Sequence, residues 1–346
     1  MTNKIVTHFR PHADELIALM FLKNFRNGEE KFPGVKNAKI EFLSSGKLPN
    51  GQTYKDFPDT IFLGVGGGPF DEHAGADQER AEGEVCATMV AKYLGLDSKP
   101  ELQGILNIVK DEDLSGAKEK DSLSVIVKFL HSCFKENYEL IYKWSEIAYM
   151  AHINNFLNKG SSKLFTLSDT KKILEATNHP EFAWWVETAS KAHEYQDSEY
   201  KKALEEYKIK AKVERFIASD GLPVDMAVIS SDSEEMNRAA RSNKMQLIVQ
   251  FNGRGNVAIF TYRKRNLNLT KSFVLLRMAE QHYRGRIMIK DEKILGEEGT
   301  IEDIPWYLFH TRDMGFNGSL TTSEIEPTRI PHNKISELVK EGLKGY

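Results

Sequence analysis

An α/β protein in two bodies is what the sequence predicts: a mainly parallel sheet flanked by helices, a helical connector, and a second, smaller α/β body. Three observations carry this. Short apolar runs rich in β-branched residues alternate with helical periodicity through the first hundred residues, a long tract of interspersed Glu and Lys follows, and strand-like runs then return. At 346 residues the chain is also longer than one hydrophobic core usually serves, so two domains are expected.

Taken in order, residues 4 to 9 read as a strand. "ADELIALMFLKNF" follows as a helix with Leu16, Ile17, Met20, Phe21 and Phe25 on one face. "AKIEFLSS" (38 to 45) and "TIFLGVGG" (60 to 67) read as further strands, and the tract from Gln78 to Leu96 as a helix with Gly95 near its end. In "LQGILNIVKDEDLSG" an apolar run closes on Asp111, Glu112 and Asp113, and helical segments are expected over Leu123 to Asn137 and Leu140 to Leu157. The tract from Leu167 to Phe216 is helix-compatible, and its Glu/Lys-rich half suits a solvated helix joining two bodies. The boundaries expected are therefore 1–160, a connector over 161–216, and 217–346. In the last part "DMAVISSD", "MQLIVQFNG" and "NVAIFTYRK" read as strands, with a hairpin turn at Gly253 and Gly255. "SEEMNRAAR", "SFVLLRMAEQHYRG" and "KISELVKEGL" read as helices.

Composition sets outer limits. Apolar residues at 40% and charged residues at 28% are far from the balance that leaves a chain disordered, and a net charge of −3 gives no global attraction to polyanions. Cys86 and Cys133 each have apolar neighbours, which suits buried thiols in a reducing compartment. No apolar stretch approaches the roughly 20 residues of a bilayer span, and "MTNKIVTHF" carries no signal-type apolar run. A cytoplasmic location is expected.

Chemistry gathers where the apolar runs end. His8, His12 and Asp14 in "THFRPHADELIALM" follow the first strand, and open α/β sheets collect ligands at such strand ends. Imidazole and carboxylate are ligands for Mn, Zn or Fe; equally, the histidines could cap the next helix with Asp14 in its first turn. Asp71, Glu72 and His73 come just after a glycine-rich turn in "GVGGGPFDEHAGAD", and Asp113 ends a third run. Three such segments together favour a metal site over three coincidences. In the last third, Arg277 and His310 are candidate anion contacts, with Gly315, Asn317 and Gly318 supplying a loop; an ion pair with Glu280 is the other reading of Arg277. Trp184 and Trp185 read as core, "NGRGN" as a hairpin turn and "YRKR" as solvated surface.

The order His-x3-His-Ala-Asp-Glu, then Gly-Gly with Asp-x-His, then a later Asp resembles the DHH phosphoesterase superfamily, and most of all its Myg-type branch of metal-dependent exonucleases or hydrolases. "SFVLLRMAEQHYRGRI", "WYLFHTRDMGFNGS" and "EPTRIP" look like that branch's C-terminal half. The resemblance implies a hydrolase cleaving phosphodiester bonds in a nucleotide or a nucleic-acid end. It implies metals on the N-terminal domain and substrate held across a cleft by the smaller one. Carried over, His8, His12, Asp14, Asp71, His73 and Asp113 would be metal ligands and His73 and Glu72 catalytic. Arg277, His310, Asn317 and Gly318 would serve the substrate. The cofactor implied is a divalent metal, Mn first, as one or two ions. The partner is a nucleotide or single-stranded nucleic acid and no membrane; the oligomeric state stays open, a homodimer included.

Two departures matter. Gly64 stands where the family places an aspartate before its paired glycines, and Glu72 stands where it places a histidine. They motivate an alternative, a catalytically degenerate member that keeps nucleotide or metal binding. Hydrolysis of a bond other than a phosphoester is a third option.

Overall fold

The computed structural model describes residues 1–43, 48, 52–73, 83–117, 119–135, 137–159, 165–286, 289–301, 304–318 and 325–345. They divide into two compact units, Met1–Gln196 and Asp197–Tyr346.

In the first unit β1 (Lys4–His8) lies between β2 (Lys39–Leu43) and β3 (Thr60–Leu63), and all three run parallel, with Ile5 opposite both Ile40 and Ile61. Parallel neighbours need a crossover, supplied between β1 and β2 by α1 (Ala13–Asn24) and the short α2 (Arg26–Lys31). After β3 the unit is helical: α3 (Cys86–Leu94), α4 (Pro100–Ser115), α5 (Leu123–Cys133), α6 (Tyr138–Lys159), α7 (Leu167–Ala176) and α8 (Phe182–Lys210).

Every residue of α1 from Ala13 to Leu22 is buried, because α3, α4, α5 and α6 all pack on it. The single apolar face expected was too narrow, since a helix enclosed on all sides needs no solvated stripe. "ILNIVKDEDL" belongs to one continuous helix, α4, which opens with Pro100 and stops before Gly116. The helix expected from Gln78 begins at Cys86; residues 78–82 lie outside the described set, as do 44 and 45 of the second expected strand. Trp144 and Trp185 stack at 4.7 Å with planes 7° apart, and each indole N–H donates to the other's carbonyl at 3.0 Å, which ties α6 to α8.

Of the connector expected over 161–216, the described residues 165–216 divide between the two units, and 161–164 lie outside the described set. Leu174 of α7 and Trp185, Ala189 and Ala192 of α8 belong to the first core, while Ala203 and Tyr207, further along α8, belong to a core of the second unit. Lys212–Ile217 is already a strand, β4.

The second unit is built on seven strands in the order β4-β5-β6-β7-β10-β9-β8. These are β4, β5 (Pro223–Ser230), β6 (Leu247–Phe251), β7 (Val257–Thr261), β8 (Gly299–Ile301), β9 (Ile304–Leu308) and β10 (Met314–Asn317). Only the β5–β6 pair is parallel; β6 and β7 form the expected hairpin, Phe251 opposite Val257. One face packs on α10 (Thr270–Tyr283) and α12 (His332–Lys344), and the other on α9 (Met236–Ser242) and the end of α8. The four-residue α11 (Glu292–Leu295) caps one edge of α10.

Candidate metal centre

Both N-terminal motifs sit where strands end. β1 stops at His8 and α1 starts at Ala13, so Asp14 and Glu15 occupy the first helical turn, where the helix dipole favours carboxylates. Glu15 reaches back and its Oε2 accepts the His12 N–H at 2.7 Å, half of a capping box, which fixes the carboxylate's orientation. After β3 the glycine-rich turn curls tightly: the Gly64 N–H donates to the Phe70 carbonyl at 2.9 Å and the Asp71 N–H to the Gly68 carbonyl at 3.1 Å. Gly64 and Gly67 both hold φ of +66°, a left-handed backbone that glycine adopts without strain, and the Gly67 N–H donates to Asp71 Oδ2 at 2.8 Å.

The two stretches meet. The His8 ring lies 6.3 Å from that of His12 and 5.9 Å from that of His73, and His8 Nε2 is 3.6 Å from Glu15 Oε1. The ligand atoms of His12, Asp14 and Glu15 lie within 4.8 Å of one another, and so do those of Asp71, Glu72 and His73. Carboxylates form the floor, with Asp14 and Glu15 2% exposed and Asp71 and Glu72 4% exposed. Imidazoles form the mouth, where the His12 side chain is exposed and that of His73 is 48% exposed.

Among the described residues no donor reaches either oxygen of Asp14, or Oε2 of Glu72. A carboxylate that has lost its water and gained no donor carries a large desolvation cost. Burial, then the charges of Glu15 and Asp113, push the Asp14 carboxyl well above its usual range. Burial lifts Glu15 to about 8, opposed by its contact with Asp14 and reinforced by the charge of Glu72; burial, then Asp14, lifts Glu72 to about 8. Histidine goes the other way, for burial and then His12 and His73 hold the His8 imidazole at about 4. Asp71 differs. Burial pushes it up, but the hydrogen bonds from the His73 ring and the Gly67 amide outweigh that and leave it below its ordinary value.

A divalent cation here would reverse both tendencies, since it favours ionised carboxylates and uses the lone pairs of neutral imidazoles. The donor set is the borderline-to-hard one that Mn, Fe or Zn accept. The buried oxygens of Asp14 and the Oε2 of Glu72, which no donor among the described residues reaches, are the observation that makes the fit specific, and His8, His12, Asp14, Asp71, Glu72 and His73 come together around them.

Asp113 stands apart from both triads. It is an exposed residue in the last turn of α4 whose charge bears on His12 and Asp14. Two neighbours escaped the sequence reading. Glu15 carried a signal, its spacing three residues after the cap; Lys128, exposed on α5 with its charge bearing on His12, carried none. His131, which has no partner at ligand spacing, holds the loop from behind, its Nε2 2.9 Å from the Pro11 carbonyl.

The second unit corrects most of the anion site. Arg277 is fully buried, and its five N–H donors go to the carbonyls of Leu295, Glu297, Gly299 and Trp306, so none is left for a phosphate. Its ion pair with Glu280 is absent too, because Glu280 pairs with Arg284 at 2.6 Å. Asn317 is fully buried in β10 and donates to the Pro305 carbonyl at 2.7 Å. Gly315 lies in the same strand, its Cα facing the Phe273 ring, and a side chain at Gly318 would strike Asn256. Gly315 and Asn317 are packing positions within a strand, and Gly318 follows it in a bend with φ of +69°. His310 is half-buried against the Phe309 ring, 4.4 Å between centroids.

No protein-family model matches the chain, and no curated protein does. Its fold is similar to a solved structure described as the DHH domain of a member of the s1p family of ribosomal proteins, with 11% identity and a TM-score of 0.48 over 98% of this chain and 85% of that one.

Proposed function

We propose that the first unit is a divalent-metal centre, Mn first, that hydrolyses phosphodiester bonds in a nucleotide or a nucleic-acid end. The observation that carries this reading is the buried Asp14 carboxylate without a donor, at the floor of two imidazole–carboxylate triads. The motif order that resembles DHH phosphoesterases supports the same chemistry. When bound, such a cation lowers the pKa of water and draws charge from a phosphoryl oxygen.

The chain's own residues do the rest. His73 Nδ1 lies 3.0 Å from Asp71 Oδ1. With Asp71 held below its ordinary value, a proton on His73 Nδ1 would be favoured, and Nε2 would then be the ring's basic nitrogen. Glu72 lies beside it, Oε1 3.7 Å from His73 Nδ1, and its Oε2 without a donor can hold a cation or a proton from the attacking water. Lys128 adds positive charge near His12, which suits an anionic substrate.

The test is Mn-dependent cleavage of dinucleotides, cyclic dinucleotides, single-stranded oligonucleotides and pyrophosphate. Asp14→Asn should lower the rate at least about 100-fold with the fold intact by circular dichroism. Tight Mn binding without cleavage of any of these would favour the second reading, a binding module, which the Gly64 and Glu72 departures motivate. Loss of neither binding nor rate in Asp14→Asn would remove the metal centre altogether.

A further inference from the structure

The end of β3 is open on one side. Gly64 directly follows Leu63 and faces the metal centre with no side chain, and that space is filled from elsewhere. A Cβ built at Gly64 would lie 2.7 Å from Glu15 Oε1, 3.2 Å from Glu15 Cγ and 3.3 Å from His8 Cδ2. A side chain at residue 64 would therefore displace the Glu15 carboxylate from where it sits.

Glu15 is also held ready. Its Oε2 is anchored on the His12 amide at 2.7 Å, which leaves Oε1 directed toward His8 Nε2, 3.6 Å away, and toward the Gly64 backbone. It is 2% exposed and shares the first triad with His12 and with Asp14, whose two oxygens no donor reaches. The charge of Glu72 in the second triad acts on Glu15, and His8, beside it, stacks near the His12 ring and meets the His73 ring edge-on.

We infer that Glu15 is a metal-holding carboxylate that takes over, from the first turn of α1, the position a side chain at residue 64 would occupy, and that it joins the two triads into one centre. The inference rests on the metal reading above and deepens it. It also gives Gly64 a role: residue 64 must lack a side chain so that Glu15 can enter.

Metal titration without any substrate tests this, by calorimetry and by metal content after equilibrium dialysis against Mn. Wild-type protein should bind Mn, and Glu15→Gln, which keeps the side chain's shape and can still accept from the His12 amide, should bind at least about tenfold more weakly or lose one equivalent. Gly64→Ala, which adds no ligand and removes none, should weaken Mn binding in the same direction. In the Glu15→Ala background, Gly64→Asp should recover Mn binding, since aspartate is among the few residues that tolerate a left-handed backbone. Near-ultraviolet circular dichroism of each variant excludes unfolding as the cause. Wild-type affinity and stoichiometry in Glu15→Gln would overturn the inference while leaving the metal centre standing. Absence of Mn binding in the wild-type protein would overturn both.

Discussion

Asp14 and its neighbours set the behaviour expected of single residues. Glu15 and Glu72 titrate near 8, raised chiefly by burial from an ordinary value of 4.5. A carboxyl raised in the folded state gives stability that is whole below its unfolded value and is lost as pH rises through the folded one. The metal-free protein should therefore melt at a lower temperature at pH 8 than at pH 5.5, and saturating Mn should narrow or reverse the difference. His8, at about 4, has no proton to lose at pH 7, whereas Glu15 and Glu72 release theirs on Mn binding. Calorimetry in buffers of different ionisation enthalpy measures that release. Mn affinity that is flat from pH 6 to 8 with no proton release would mean the cation does not sit among these groups.

Elements show why some residue assignments held together and others did not. His8, His12 and Asp14 could be placed because a strand end and a helix start were both written locally, in Ile5-Val6 and in the apolar series of α1. Asp113 lies near the end of a helix, for the run before it has Leu102, Ile105, Leu106 and Val109 buried at helical spacing, with Pro100 and Gly116 as its ends. Arg277 is the sharper lesson, because an arginine that closes five hydrogen bonds on backbone carbonyls looks, in sequence, like one that awaits a phosphate. Arg277→Ala would strand four carbonyls around α10, α11, β8 and β9 and should cost about 3–5 kcal/mol. Denaturant unfolding measures that cost, while the KM of folded protein for substrate should stay unchanged; a raised KM at unchanged stability would return Arg277 to the substrate.

The two units have separate cores: one around α1 and a small one of Val6, Phe62 and Val65 in the first, and others on the two faces of the seven-stranded sheet in the second. All residues of the metal centre belong to the first unit. Mn should therefore slow amide exchange in 8–16 and 64–73 and leave β5, β6 and β7 unchanged. Hydrogen exchange with mass readout checks this, and protection confined to the second unit would place the ion elsewhere. Among the described residues no helix is long and apolar enough to cross a membrane.

The sequence by itself determined the α/β class, the parallel strands at the N-terminus, the β6–β7 hairpin and the two stretches that build the candidate metal centre. Each rests on local information: apolar period, β-branched runs, glycine-rich turns and residues at strand ends. Only the tertiary structure decided that Glu15 fills the space beside Gly64, that Arg277 and Asn317 are buried, and that α8 serves two units. Those outcomes depend on which surfaces meet, for a side chain's burial and its partners are set by elements distant in the chain, and no spacing along it records them.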